Sequence, residues 1–115
     1  MYDLEERTLN MAIEARHFAR RLPKSISNIE DAKQLIRASG SIGANYIEAN
    51  EALSRKDFIM RLRISRKEAK ETIFWLKIIL EVNELTPDIR STGEYLLNET
   101  GQIRNILSSI INKSV

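Results

Sequence analysis

Residues 54–83 read SRKDFIMRLRISRKEAKETIFWLKIILEVN, an unbroken run without Gly or Pro. A helix over 55–83 would span roughly 40 Å at about 1.5 Å per residue. Its apolar side chains recur in steps of three and four, which is typical of a helix packed nearly parallel to its neighbours. The apolar positions are Phe58, Leu62, Ala69, Leu76 and Ile79, and Ser65 and Thr72 complete the steps of four and three. Ser54 is a suitable N-cap, so we expect this helix to begin directly after it.

Three more amphipathic helices are predicted around this one, over residues 3–21, 29–53 and 87–113. Pro23 ends the first helix, and Asn28 is the expected N-cap of the second. Thr86 followed by Pro87 is typical of a helix start and opens the fourth. Short connections place consecutive helices side by side in opposite directions. The chain is therefore predicted to be all-α, one domain over 1–115 folded as an up-down-up-down antiparallel four-helix bundle.

The composition favours a soluble protein of the cytoplasm. Apolar residues make up 43% of the chain, the ordinary globular share, so disorder is not expected. The first residues, MYDLEERTLN, lack the apolar block of a signal peptide. No apolar run approaches the roughly 18 residues that a membrane span needs, so no membrane partner is expected. The net charge is only +2, so any attraction to nucleic acid must come from how the charges are placed.

The chain shows no pattern of a catalytic or metal site. It contains no Cys, which excludes disulfides and thiolate ligands. His17 is the only histidine, so the Glu14–His17 pair cannot have the second Glu-x-x-His pair that a carboxylate-bridged bundle site requires. No nucleophile has a base placed by a recognisable motif. We therefore expect a non-enzymatic protein without metal or cofactor, and His17 on a helix surface.

The middle of the second helix is unusual for its two glycines, Gly40 and Gly43. Each glycine inside a helix costs about 1 kcal/mol relative to Ala. Close approach of a neighbouring helix is the favoured explanation; a break in the helix is the alternative. A phosphate cradle is disfavoured because no strand precedes the segment. Nearby Asn45 and Glu48 are predicted to lie at an interhelical seam and to bond to the third helix, for instance to Arg66, Lys67 or Lys70.

A row of cations follows the third helix at helical spacing and is formed by Arg63, Arg66, Lys67, Lys70 and Lys77. Such a row favours binding to a nucleic-acid backbone, because each phosphate that a cation neutralises releases counterions. Glu71 follows Lys67 by four residues, and Glu81 follows Lys77 by four. Each carboxylate is expected to pair with its lysine and to reduce the positive charge of the row. A solvated charged face is the alternative interpretation. A second basic cluster, Arg20, Arg21 and Lys24, lies at the end of the first helix.

The third and fourth helices each carry a second apolar stripe. On the third helix it contains Met60, Ile64, Trp75, Ile78 and Val82, and on the fourth Leu97, Ile106 and Ile111. A four-helix monomer of this size has little interior for two stripes per helix, and large apolar patches usually mark contact surfaces. We therefore predict a homo-oligomer. The candidate interface residues are Ile64, Trp75, Ile78 and Ile111.

Three motifs together resemble a known family. They are Ser39-Gly-Ser-Ile-Gly-Ala-Asn45-Tyr-Ile-Glu48-Ala, Ser54-Arg-Lys-Asp-Phe58 and Lys67-Glu-Ala-Lys-Glu71-Thr-Ile-Phe-Trp75-Leu76. The chain resembles the bacterial four-helix-bundle proteins encoded in intervening sequences of 23S ribosomal RNA genes. These are similar in turn to the accessory variability protein of diversity-generating retroelements. The resemblance implies a ring-shaped pentamer with basic surfaces, and the retroelement relatives bind nucleic acid and a reverse transcriptase.

Two functional hypotheses follow from these observations. The first is a homo-oligomeric accessory protein, a pentamer as the resemblance implies, that binds RNA or DNA through the basic row and the Arg20, Arg21, Lys24 cluster. The second is a protein-interaction scaffold whose same face docks an acidic partner and touches no nucleic acid. Independently of this choice, the resemblance makes a reverse transcriptase or another protein a candidate partner.

Overall fold

The computed structural model describes residues 3–115. Met1 and Tyr2, the start of the predicted 1–115 domain, lie outside the described residues. The described chain forms four α-helices and no strand: α1 Leu4–Arg21, α2 Ile26–Asn50, α3 Arg55–Val82 and α4 Pro87–Ser114. None of them combines the length and the apolar character needed to cross a membrane.

The helices form an antiparallel four-helix bundle, as predicted. α1 and α3 each pack beside both α2 and α4, and therefore lie diagonally across the bundle from each other. The long axis of the molecule measures 46 Å and the other two 25 and 19 Å. A helix of 28 residues such as α3 is about 42 Å long. The third and fourth helices therefore run the full length of the bundle.

The predicted seam of α3 is the centre of the core. Leu62, Leu76 and Ile79 are fully buried. Ser65 and Thr72 are equally buried, and their hydroxyl groups are satisfied by carbonyl groups. The Ser65 hydroxyl donates to the carbonyl of Ile42 in α2 at 2.7 Å, and the Thr72 hydroxyl donates to the carbonyl of Glu68 at 2.9 Å. Small polar residues can therefore occupy seam positions without an unpaired buried group.

Two helix starts agree with the predicted caps. The Ser54 hydroxyl accepts from the backbone N–H of Asp57 at 3.1 Å, and Thr86 accepts from that of Ile89 at 3.4 Å. Pro87 occupies the first turn of α4, where its missing N–H leaves no helical bond unmade. These starts were predictable because a cap and its helix are neighbours in sequence.

Both predicted boundaries of α2 were wrong. The helix begins at Ile26, with Ser25 as N-cap accepting from the backbone N–H of Asn28 at 3.1 Å. Asn28 is instead buried within the first turn, where its side chain serves a tertiary contact. The helix ends at Asn50, so Leu53 lies in the connection to α3 and is fully exposed. The apolar stripe of α2 therefore stops at Ala49.

Candidate nucleic-acid interface and the surfaces beside it

The predicted basic row forms part of the outer surface of α3. Arg63, Lys67 and Lys70 are exposed. Arg66 is half-buried, and its guanidinium donates to the Ser108 hydroxyl of α4 at 3.3 Å. These four residues line a shallow groove of about 440 Å³, together with Glu71 and Phe74. Local helical spacing is sufficient to bring the four cations together.

Glu71 lines the same groove as the row but does not form the ion pair expected with Lys67. Glu71 turns toward α2, where its Oε1 accepts from Arg37 Nη2 at 3.4 Å. Among residues 3–115, neither Lys67 nor Lys70 forms an ion pair with a carboxylate. Lys77 lines another groove, together with Glu81, without pairing with it. The positive charge of the row therefore faces solvent.

Arg37 connects α2 and α3 through two carboxylates, and sequence analysis did not identify this cluster. Its Nη1 donates to Glu68 Oε1 at 3.2 Å, in addition to the bond to Glu71. The side chain of Glu68 is only 10% exposed, and that of Arg37 is 47% exposed. Burial raises the pKa of the Glu68 carboxyl above its usual range, and the Glu71 carboxylate adds to this rise, while Arg37 opposes both. The one available signal was the position of Glu68 between the seam residues Ser65 and Thr72.

The raised pKa of Glu68 predicts a pH-dependent contribution to stability. The folded state holds the Glu68 proton more tightly than the unfolded chain does. The contribution is therefore full below the ordinary glutamate pKa of about 4.3, and it is lost as the pH rises through the folded-state value. We expect wild type to lose stability relative to Glu68→Gln between about pH 4 and pH 7. Urea unfolding followed by circular dichroism across this range measures the difference.

Glu48→Gln is the matched control for this prediction, because Glu48 is exposed. Its stability difference from wild type should stay flat over the same pH range. The prediction is contradicted if wild type becomes more stable to urea than Glu68→Gln as the pH rises. That result would show that the attraction of Arg37 outweighs burial and the repulsion from Glu71.

The second basic cluster does not join the row on α3. Arg20 and Lys24 line a small groove at the turn between α1 and α2, and α1 lies diagonally across the bundle from α3. Arg21 forms an ion pair with Asp88 at the start of α4. The two groups of cations therefore lie on different sides of the molecule, and one of the three side chains in the cluster is already paired.

Neither polar residue predicted at the seam between α2 and α3 makes the expected contact. Asn45 is half-buried and donates to the carbonyl of Ser41 in its own helix at 2.9 Å. Glu48 is exposed and forms no ion pair with Arg66, Lys67 or Lys70. The polar connection between the two helices is made by Arg37 and by the Ser65 hydroxyl instead. Which side of α2 faces α3 depends on the rotation of the helix about its axis, which local spacing does not specify.

The two glycines of α2 face α1. A Cβ added to Gly43 would lie 2.7 Å from Thr8 Oγ1 and 3.1 Å from Thr8 Cβ, so α1 and α2 could not keep their separation. At Gly40 the nearest atom would be Arg16 Nη2 at 3.3 Å, the end of a flexible side chain. The helix continues unbroken through both positions. The close approach therefore concentrates at Gly43 and Thr8.

Of the four candidate interface residues, Ile111 lies in the core. It is only 3% exposed and continues the buried stripe of Ile103 and Leu107 at a step of four, so it is unavailable to a second subunit. Ile64, Trp75 and Ile78 are half-buried. The indole Nε1 of Trp75 is buried and has no hydrogen-bond partner among the described residues. Trp75 is therefore already largely packed against its own protomer.

Exposed apolar side chains lie on two opposite sides of the bundle. On the side formed by α3 and α4, Phe74 and Val82 are 57% and 60% exposed, and both line a groove of about 960 Å³. On the side formed by α1 and α2, Leu9, Ile13 and Ile47 line a groove of about 360 Å³. Leu9 and Ile13 are 58% and 41% exposed, so this side of α1 does not contribute to the core.

No metal-binding arrangement occurs among residues 3–115. No three His, Asp or Glu side chains in this part of the chain lie close enough together to hold a metal ion. His17 lies on the surface of α1, with Nδ1 3.6 Å from Oε1 of Glu14.

Comparisons with known proteins agree with this architecture. The model of the family described as 23S rRNA-intervening sequence protein matches residues 3–109. A solved structure of a protein of unknown function from the S23 ribosomal protein family of Bacteroides thetaiotaomicron is 32% identical. That alignment has a TM-score of 0.79 and covers 93% of this chain and 96% of the other. No curated protein matches the chain. The chain belongs to the 23S rRNA-intervening sequence protein family.

Proposed function

We propose that this protein is a non-enzymatic, cytoplasmic homo-oligomer that binds single-stranded RNA or DNA through the outer surface of α3. The observation that carries the proposal is the row of Arg63, Lys67, Lys70 and Lys77. All four are exposed, and within residues 3–115 none of them pairs with a carboxylate. Cations held at regular spacing on a rigid helix neutralise phosphates without first breaking ion pairs of their own.

The surroundings of the row also suit a single strand. Arg63 and Lys77 are fourteen residues apart, roughly 21 Å along the helix at about 1.5 Å per residue. Phe74 lies between Lys70 and Lys77, and its ring is 57% exposed. An exposed aromatic ring beside a basic groove is the arrangement on which unpaired bases stack. Four phosphate contacts would give a log-log salt slope near −3, at about 0.7 per contact with a single strand.

Self-association is the second part of the proposal. The apolar surface of α3 and α4, with Ile78 and Val82, and that of α1 and α2, with Leu9 and Ile47, lie on opposite sides of the bundle. Arg63, Lys67 and Lys70 line neither groove and stay open to a strand when these surfaces meet. Phe74 and Lys77 also line the α3–α4 groove, so the strand and the neighbouring subunit meet at these two residues. Two different surfaces that meet head to tail generate a ring when the rotation closes. Five subunits are the number that the family resemblance implies.

The experiment measures binding of a fluorescein-labelled 20-nucleotide oligo-U, and of the matching oligo-dT, by fluorescence anisotropy. In the triple variant Arg63→Glu, Lys67→Glu, Lys70→Glu, we expect binding to weaken by at least tenfold, because three of the four free cations become repulsive. The salt slope that remains should fall by roughly 2, at about 0.7 per contact.

The charge-matched control is Arg20→Glu, Arg21→Glu, Lys24→Glu, which changes the net charge equally in the cluster that lies on a different side of the molecule from the row. It should retain binding within about threefold, which is less than 1 kcal/mol. Equal losses in both triple variants would show that net charge, not the row, governs binding, and would refute the proposal. Light scattering of wild type should show a mass several times the 13.3 kDa of one chain. A monomer at micromolar concentration would refute the homo-oligomer.

A further inference from the structure

The first part of α3 lines a separate groove of about 970 Å³, which extends to Val115 at the end of α4. The floor of this groove is apolar. Ile59 and Ile64 are half-buried, while Met60 and Val115 are 45% and 73% exposed. Such a floor would be covered by an apolar ligand surface rather than by water.

The rim of the groove is basic. Arg55, Lys56, Arg63 and Lys67 line it and are exposed, and no carboxylate among residues 3–115 pairs with any of them. Asp57, in the first turn of the helix, is the one acidic residue among the described residues that line the groove. Four cations against one carboxylate leave an uncompensated positive rim around an apolar floor.

This combination does not suit a nucleic-acid strand. None of the described residues that line the groove is aromatic, so bases have nothing to stack on, and a phosphate backbone has no apolar surface to bury against the floor. Phe74 lies outside this groove and lines the other two grooves of α3. The features of this site match a ligand with one apolar side and two acidic edges.

We infer that the groove binds an acidic amphipathic helix of another protein. The apolar stripe of that helix lies on Met60 and Ile64, and its Glu and Asp side chains pair with the basic rim. The groove extends from residue 55 to residue 67, roughly 18 Å at about 1.5 Å per residue, which accommodates about three turns of helix. The inference goes beyond the proposed function and does not depend on it. Arg63 and Lys67 also belong to the nucleic-acid row, so the two ligands compete.

A second copy of this chain fits the site less well. Each of its four helices turns its apolar stripe toward the core of its own bundle. The apolar side chains that the described helices leave exposed, such as Leu9, Ile13 and Phe74, belong to the surfaces proposed above for self-association. A helix from a segment without a bundle of its own has its whole apolar stripe free for the groove.

The test uses a labelled 15-residue peptide of Leu and Glu with Leu in steps of three and four. The control peptide has the same residues in an order without a stripe. We expect the amphipathic peptide to bind at least tenfold more tightly by anisotropy, a difference of about 1.4 kcal/mol. Met60→Gln, which keeps side-chain length but removes the apolar contact, should weaken binding about tenfold, again about 1.4 kcal/mol. Ile26→Gln, at a residue 87% exposed outside every groove described above, should leave it unchanged.

Equal binding of both peptides would overturn the inference, because charge alone would then explain it. Unchanged binding by Met60→Gln would overturn it as well. Both variants replace exposed side chains, so circular dichroism should show both folded. A lower mass of Met60→Gln by light scattering would assign the groove to a subunit contact and would also overturn it.

Failure of this inference is distinguishable from failure of the proposed function. Lys70 does not line the groove, so Lys70→Glu should weaken oligo-U binding and leave peptide binding unchanged. Met60→Gln should weaken peptide binding and leave oligo-U binding unchanged. Unlabelled peptide should displace oligo-U from wild type but not from Met60→Gln at the same concentration. An oligo-U complex that the peptide cannot displace would contradict the shared use of Arg63 and Lys67.

Discussion

Phe18→Ala should lower the free energy of unfolding by about 3–5 kcal/mol, the largest effect expected of any single substitution considered. Phe18 is fully buried. Its ring packs where α1 meets Gly93 of α4, because a Cβ on that glycine would lie 2.9 Å from Phe18 Cε1. Removing the ring leaves a cavity beside a residue that has no side chain to fill it. Urea unfolding followed by circular dichroism at fixed protein concentration measures the loss.

The control for this prediction is Ile26→Ala, which removes apolar atoms from a side chain that is 87% exposed. Its stability should change by less than about 0.5 kcal/mol. Phe18→Leu should lie between the two variants, because it leaves a smaller cavity. A loss below about 1 kcal/mol for Phe18→Ala would mean that α1 and α4 can close over the gap, against the close packing at Gly93.

Asn28→Ala should cost about 2–3 kcal/mol, through hydrogen bonds that only the folded chain brings together. The Asn28 side-chain amide donates to the carbonyl of Pro23 at 2.8 Å and to Asn83 Oδ1 at 2.7 Å. Asn83 donates back to Asn28 Oδ1 at 2.9 Å. This reciprocal pair ties the start of α2 to the end of α3, and Asn28 itself is only 3% exposed. Removing it leaves donors and acceptors unpaired in a poorly hydrated site.

A double-mutant cycle with Asn83→Ala checks that the pair acts as a unit. The loss in free energy of unfolding of the double variant should be at least about 1 kcal/mol smaller than the sum of the losses of the two single variants. The reason is that the first substitution already leaves the other asparagine without its hydrogen-bond partner. Asn45→Ala is the matched control, since the side-chain hydrogen bond of Asn45 to the carbonyl of Ser41 stays within its own helix. It should cost about 1 kcal/mol or less. Additive losses at Asn28 and Asn83 would contradict the pairing.

Part of the candidate site could be predicted from residue spacing. Arg63, Lys67 and Lys70 share one side of α3 because positions three and four apart are neighbours on any helix. Whether these cations form ion pairs could not be predicted in the same way. Glu71 follows Lys67 by four residues, yet it pairs with Arg37 of α2. Choosing between a local and a distant partner depends on how closely α2 approaches, which is a property of the assembled bundle.

The sequence by itself determined the number of helices, the antiparallel bundle, the buried seam of α3 and the caps at Ser54 and Thr86. These features depend on residues within one or two turns of each other, so local periodicity is enough. Only the tertiary structure decided that Ile111 is buried, that Asn28 pairs with Asn83 and that Arg37 holds Glu68. Each of these depends on the rotation of one helix against another. A rotation of a few tens of degrees moves a side chain between core, seam and solvent while leaving the spacing along the chain unchanged.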